Sequence, residues 1–261
     1  MTISTAAFLL GACDVSQNTL KADQAETAVT AETASPTGGA AESSLATDDV
    51  AYLTRLGLIR GHLRVGMELY EQGMHEHAKG HMKHPGDELY TSLVGAFERR
   101  GSPGFADELE TLARLVEQGE DDAAVRRAYA ALLERVSAAE SRVDPDSAGS
   151  AATQGAVAVN LLREAAREYG IGVVAGRIEE VHEYQDAYGF TRVATDYLHR
   201  AEATNAPGEP LHQNAQNIER LVHLWPALVP TAPIQGDASS IAAVADELGA
   251  SLPTSVSAAR K

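Results

Sequence analysis

The chain has 261 residues, a formal net charge of −16 at pH 7 and a hydrophobic fraction of 44%. An acidic chain without a basic stripe does not attract the phosphate backbone of nucleic acids, so we predict no nucleic-acid partner. Alanine, leucine, glutamate and arginine dominate the second and larger part of the chain, and period-2 runs of β-branched residues are missing there. We therefore predict an all-α fold, an irregular antiparallel bundle of six to seven helices.

The N-terminal segment is typical of a targeting signal. A short apolar run over 6–10 ends in Leu10-Gly11-Ala12-Cys13, and an apolar run followed by small residues predicts a cleaved secretory signal rather than a membrane span. This tetrad resembles the lipobox of bacterial lipoproteins. The resemblance implies that Cys13, the only cysteine, carries a lipid anchor and holds the protein on the periplasmic side of the cell envelope. The alternative is an apolar N-terminus with a chance cysteine.

Residues 14–48 are Ala, Thr, Ser, Glu, Asp, Gln and Gly with scarcely any large apolar side chain. Such a composition buries too little surface to offset the entropy of an ordered backbone, so it predicts a disordered tether. The predicted organisation is therefore a signal and lipobox over 1–13, a tether over 14–48 and one helical domain over 49–261. This last part has no second apolar segment long enough to span a bilayer.

Glycine and proline divide the helical domain into segments. We predict helices over 50–72, 75–84, from 85 to Gly101, over 105–118 and over 123–143. A longer pattern over 153–203 holds too many glycines for one straight rod, so we expect a break near 170–176 or near Gly189. Helices over 211–224 and 239–248 complete the chain.

The first two helices resemble the middle of a tetratricopeptide repeat. The run Gly66-Met67-Glu68-Leu69-Tyr70-Glu71-Gln72-Gly73, followed by Ala78, has the small residues that let two antiparallel helices approach closely in that family. The resemblance covers one hairpin, and no 34-residue period recurs, so we do not infer a solenoid. It implies that the second helix folds back along the first and brings His62 near His81 and His84.

Five of the nine histidines and three of the four methionines lie between His62 and His84. Imidazole and thioether are neutral ligands of transition metals, so this enrichment predicts a metal site, with copper or zinc favoured. His77, His81 and His84 share one helix face, and Glu88 is placed to complete the ligand shell. The alternatives to metal binding are structural: His75 and His77 pair with carboxylates, His62 is a core residue, and Met67 and Met74 fill the core.

A second candidate group lies downstream, where Glu179 and His182 form a Glu-x-x-His unit with Glu183 and Asp186 nearby. This unit resembles the inward-facing motif of di-iron helix bundles, which implies metal-ligand roles for Glu179 and His182. That family needs two such units, and the chain has one. The alternative for His182 is packing among neighbouring aromatic residues.

Two hypotheses of function remain. The first is a membrane-tethered metal-binding protein, similar in outline to the imelysin-like proteins of bacterial metal uptake. Their Gly-x-His-x-x-Glu signature is not reproduced, because Gly61-His62 leads to Glu68. The second is a non-catalytic helical scaffold that binds a partner protein or a small ligand. No hydrolytic, phosphate-binding or redox motif indicates an enzyme. The two hypotheses differ on whether His62, His81, His84 and His182 point to one place.

Overall fold

The computed structural model describes residues 44–204 and 209–252. These residues belong to one compact unit, Pro36–Lys261. The second unit, Met1–Ser35, and with it Cys13, lies outside the described residues. The predicted signal and lipid-attachment site therefore stay predictions. None of the helices in the described ranges is both long and apolar enough to cross a bilayer.

The N-terminal hairpin follows its sequence pattern closely. Helix α1 spans Asp49–Glu71, and the side chain of Asp48 caps it by accepting the amide N–H of Ala51 at 3.0 Å. Every residue of its apolar seam is buried, namely Tyr52, Leu56, Ile59, Leu63, Met67 and Tyr70. Gly73 adopts a φ of +77°, which favours glycine and lets the chain reverse into α2, His75–His84.

The next segment is helical in three geometries. A π-helix at Pro85–Tyr90 is followed by a 3₁₀ turn at Thr91–Leu93 and by α3 at Val94–Arg100. Pro85 begins the π-helix directly after α2, so the hydrogen-bond register changes where proline has no N–H to donate. Gly101 ends α3 in the left-handed conformation, with a φ of +66°. The predicted third helix therefore forms, but not as a regular α-helix.

Three helices then lead into the C-terminal half: α4 at Ala106–Glu117, α5 at Asp122–Glu140 and the short α6 at Pro145–Gly149. The carboxylate of Asp121 caps α5 and that of Asp144 caps α6. Helix α5 ends three residues earlier than predicted, and the short α6 adds a helix that the turn signal at Asp144-Pro145-Asp146 does not predict.

The predicted helical segment 153–203 is interrupted after Gly172, in the part where its glycines are most frequent. Helix α7 spans Ala151–Gly172, a two-residue hairpin of β1 (Val173–Val174) and β2 (Arg177–Ile178) follows, and α8 spans Val181–Thr204. In this antiparallel hairpin Val173 pairs with Ile178 and Val174 with Arg177. The second proposed break position, Gly189, lies inside α8. Its role is close packing, as described below.

The chain closes with α9 (Glu209–Glu219), a 3₁₀ turn (Arg220–Leu224) and α10 (Ala238–Ser251). Helices α7, α8, α9 and α10 form a four-helix group, in which α7 contacts α8 and α10, and α9 contacts the same two helices. Trp225 ends the 3₁₀ turn and donates its indole N–H to the carbonyl oxygen of Tyr184 on α8, at 2.9 Å. This bond anchors the segment after α9 against α8.

The all-α prediction is confirmed, and the two short strands are the only sheet in the described residues. Ten α-helices are described there, more than the expected six to seven: nine lie in the predicted segments, and the short α6 is the tenth. Part of the segment predicted as a tether packs against the helical domain. Leu45 is buried at 4% exposure, and its carbonyl oxygen accepts a hydrogen bond from Arg100.

Candidate metal centre

Two glycines set the crossing of α1 and α8. A Cβ added to Gly189 would lie 2.3 Å from the carbonyl oxygen of Gly61, and a Cβ added to Gly61 would lie 2.4 Å from the ring of Phe190. The two helix backbones therefore touch where any other residue would hold them apart. Gly61 directly precedes His62, and Gly189 lies one helical turn after Asp186. The crossing consequently brings these two polar side chains together.

Two further glycines set the position of α2. A Cβ on Gly66 would lie 3.1 Å from the Cβ of His81, so the hairpin closes tightly at the histidine-bearing face of α2. A Cβ on Gly80 would lie 2.2 Å from Cε1 of His182, so the imidazole of His182 occupies the space that Gly80 leaves open. Helices α1, α2 and α8 thus meet with their histidines facing one another.

The carboxylate of Asp186 lies at the centre of this meeting point. Its Oδ1 is 2.6 Å from Nδ1 of His62 and 2.9 Å from Nδ1 of His81. Burial alone would raise the pKa of Asp186, but the charge of His62, together with the hydrogen bond and charge of His81, lowers that pKa well below its usual range. Asp186 is therefore an ionised carboxylate held in the interior at 6% exposure.

His81 holds this carboxylate in place. Its Nδ1 faces Asp186, and its Nε2 lies 2.8 Å from Oε1 of Gln185. The amide of Gln185 is fixed in this orientation, because its Nε2 donates to the carbonyl oxygen of Leu228 at 3.0 Å. Both ring nitrogens of the fully buried His81 thus face oxygen acceptors, and both hydrogen bonds form only when each nitrogen carries a hydrogen. In this arrangement His81 has no lone pair to offer and positions Asp186.

His62 is in a different situation. Its Nδ1 is buried and, despite the 2.6 Å contact with Asp186, has no partner of hydrogen-bond geometry among the described residues. A buried imidazole nitrogen and a carboxylate oxygen this close are stabilised by a positive charge, which a proton on the ring or a bound metal ion can supply. The contact is therefore one that a bound cation would stabilise.

His62, His84 and Asp186 meet the geometric demands of a metal centre. Each offers one ligand atom, and these atoms all lie within 4.8 Å of one another. Ligands about 2.0–2.2 Å from one ion are themselves roughly 3–4 Å apart, so small side-chain rotations suffice to enclose a cation. Two imidazoles and one carboxylate form the ligand set of non-haem ferrous sites and also suit zinc. The residues thus fit a transition-metal ion.

His182 and His77 lie at the outer edge of this centre. The ring of His182 stacks on that of His81 with centroids 4.8 Å apart, and it lies 5.7 Å from the ring of His84 and 6.4 Å from that of His77. Burial, followed by the charges of His81 and His84, lowers the pKa of His182. Its imidazole is therefore neutral at pH 7, which is the form that binds metals.

Four of the six predicted ligand residues thus meet at one place: His62, His81, His84 and His182. Glu88 is exposed on the π-helix and is not one of the clustered metal-ligand groups of the described residues. Glu179 precedes α8, is exposed and lies 3.7 Å from Nε of Arg177. The Glu-x-x-His unit is therefore not formed on a helix, because Glu179 lies in the bend between β2 and α8. Met67 packs in the hydrophobic core and Met74 against it.

Two residues organise the centre that are not among the predicted ligands: Asp186, noted only as a neighbour of the Glu-x-x-His unit, and Gln185. Asp186 follows His182 by four residues and so shares its helix face, and this spacing could have identified Asp186 from the sequence. The His81 contacts of Gln185 join residues 104 apart in sequence, and no local pattern marks them.

One family description matches part of the chain. Residues 144–259 are similar to the iron permease-associated 4-helix bundle domain. The match spans less than half of the chain and includes the four-helix group with His182 and Asp186, whereas His62, His81 and His84 precede it. No curated protein matches the chain, and no solved structure does. The candidate centre thus lies where a bundle similar to that of iron permease-associated domains meets the N-terminal hairpin.

Proposed function

We propose that the protein binds ferrous iron as cargo for a metal-uptake system, through His62, His84 and Asp186. The observation that carries this proposal is the convergence of two imidazoles and a buried, ionised carboxylate from three different helices. Burying a carboxylate costs several kcal/mol unless neighbouring charges and hydrogen bonds compensate it. A cation bound beside Asp186 would offset this desolvation cost.

Two observations favour iron. The ligand set of two histidines and one carboxylate suits Fe(II), and the similarity of residues 144–259 is to a domain associated with iron permeases. The sequence alone favours copper or zinc because of its clustered histidines and methionines. Met67 and Met82 are buried in the core, so thioether ligands for copper(I) do not add to the centre. Zinc remains the competitor, since imidazole and carboxylate bind it as well.

Anaerobic calorimetric titration with Fe(II) tests the proposal. We expect wild-type protein to bind one tight equivalent, and His84→Ala and Asp186→Asn each to weaken that binding by about 100-fold or more. His75→Ala is the matched control, because His75 is exposed on the same helix and stacks on Tyr70 with ring centroids 4.5 Å apart. It should bind like wild type. An equal loss in all three variants, or none in His84→Ala, contradicts the proposed site.

Zinc and copper in parallel titrations identify the metal. Because divalent affinities of such ligands rise from iron to copper, tight zinc binding alone does not argue against iron. Six-coordinate Fe(II) in the loaded protein supports an iron site, and a four-coordinate zinc centre that excludes Fe(II) contradicts it. Absence of binding by all three ions leaves the scaffold hypothesis, in which the histidines serve packing only.

The proposal extends to location and partner. We propose that Cys13 carries a lipid and that a membrane permease takes over the ion, which the lipobox-like tetrad and the iron permease-associated similarity support. Expressed with its own N-terminus, the protein should partition into detergent, and Cys13→Ser should stay unprocessed or become soluble. Identical partitioning of the two forms contradicts the anchor without affecting the metal site.

A further inference from the structure

The imidazole of His182 lies across Gly80, about one helical turn from His77 on one side and from His84 on the other. All three imidazoles are partly exposed, whereas His62 and Asp186 are buried. The histidines therefore form a graded series from solvent to the buried carboxylate. His84 lies between the exposed and the buried groups, since its ring lies 6.1 Å from that of His62 and 5.7 Å from that of His182.

Two pairwise ring separations fit ligation of an ion by a pair of imidazoles. When two imidazoles bind one ion through nitrogens about 2.1 Å from it, their ring centroids lie roughly 5–6.5 Å apart, depending on the angle at the metal. The 5.7 Å between His84 and His182 and the 6.4 Å between His77 and His182 fall in this range. The stacked pair of His182 and His81, at 4.8 Å and 20°, does not.

A packing role alone does not explain His182. Its Nδ1 is buried and has no hydrogen-bond partner in the described part of the chain. Leaving a buried polar atom unsatisfied costs about 1–3 kcal/mol, and an apolar ring would fill the space over Gly80 without that cost. A ring nitrogen without a hydrogen-bond partner, beside two further imidazoles, is typical of a residue that binds a metal ion.

We propose that His77, His84 and His182 form a second, outer position for a divalent transition-metal ion, and that His84 passes the ion from there to the inner position with His62 and Asp186. This inference rests on the proposed function, because the outer position is the entrance to the inner one. Neutral imidazoles without a carboxylate hold a dication more weakly than the inner set does, and they exchange it more readily. The ion thus moves toward the charge of Asp186.

Titration and stopped-flow mixing with Co(II), whose absorption reports coordination and which resists oxidation in air, test this inference. We expect wild-type protein to bind a tight and a weaker equivalent. His77→Ala/His182→Ala should lose the weaker equivalent and fill the tight one about tenfold more slowly. Lys79→Ala, which removes a partly exposed cation on the same helix that pairs with Glu76, is the control and should behave like wild type. If the double variant folds poorly, His77→Ala alone should still weaken the outer equivalent.

The possible failures are distinguishable. A single tight equivalent in wild type, filled at the same rate in His77→Ala/His182→Ala, overturns the outer position and leaves the proposed function standing. Asp186→Asn should lose the tight equivalent and keep the weaker one. Retention of the tight equivalent in Asp186→Asn overturns the proposed function instead, and absence of any Co(II) binding overturns both.

Discussion

The crossing of α1 and α8 at Gly61 and Gly189 offers the sharpest test of how packing builds the candidate centre. In Gly189→Ala the new Cβ would lie 2.3 Å from the carbonyl oxygen of Gly61 and 2.8 Å from its carbonyl carbon, whereas ordinary van der Waals contact begins at 3.4 Å. The neighbour is backbone and cannot rotate away. The two helices must therefore separate locally by roughly 1 Å.

The expected loss of stability follows from two opposing effects. Overpacking in a close-packed interior costs about 1–3 kcal/mol, and a backbone clash this short belongs at the upper end. Replacing glycine by alanine inside a helix returns about 1 kcal/mol of helix propensity. We therefore expect the unfolding free energy of Gly189→Ala to fall by about 2 kcal/mol in urea denaturation followed by circular dichroism. Metal affinity should fall as well, because the same shift separates His62 from Asp186.

Gly95→Ala is the matched control. Gly95 lies in α3 with nothing within 4 Å of an added Cβ, so only helix propensity changes, and stability should rise by up to about 1 kcal/mol with metal binding intact. The reasoning is refuted if Gly189→Ala unfolds at the same urea concentration as wild type and binds metal equally well.

Three further predictions concern other parts of the molecule. A chain beginning at Asp48 should be about 1–3 kcal/mol less stable than one beginning at Ser44, because it lacks the buried Leu45; equal melting temperatures would contradict this. Burial raises the pKa of Glu168 from 4.5 to about 7, so the native state holds its proton longer than the unfolded chain and stability falls as pH rises through this interval. Glu168→Gln should therefore exceed wild type in stability near pH 8 and match it near pH 4 in parallel denaturation curves. Gln185→Leu leaves Nε2 of His81 and the carbonyl oxygen of Leu228 without their partner and should cost about 2–4 kcal/mol; a thermal melt unchanged from wild type would show that water replaces the amide.

The fold is largely predictable because its signals are local. The seam of α1, the proline and glycine boundaries of α2 and the glycine-rich interruption after α7 each act within a few residues. Where local signals compete, prediction fails. The π-helix after Pro85 is an example, since the sequence marks a helix there but not its hydrogen-bond register.

The candidate centre is half predictable for the same reason. The histidines of α2 share a face, so spacing along one helix identifies them. Which carboxylate faces them depends on where α8 crosses α1, and that depends on contacts between residues more than 100 positions apart, such as Gly61 and Gly189. Spacing therefore favoured Glu88 and Glu179, whereas the crossing selects Asp186. On each of the two crossing helices, a glycine lies within one helical turn of a polar residue that faces the centre. This pattern accompanies the crossing.

The hydrogen bond between Trp225 and α8 makes tryptophan fluorescence a probe of the helix that carries Asp186. Trp225 is the only tryptophan, it is 7% exposed, and its indole N–H is fixed on the carbonyl of Tyr184, two residues before Asp186. All tryptophan fluorescence thus arises from one position, which is hydrogen-bonded to the helix that carries Asp186. Iron and cobalt quench indole emission at short range, so filling of the centre can be followed in the unlabelled protein, in real time and at the dilution that tight binding requires.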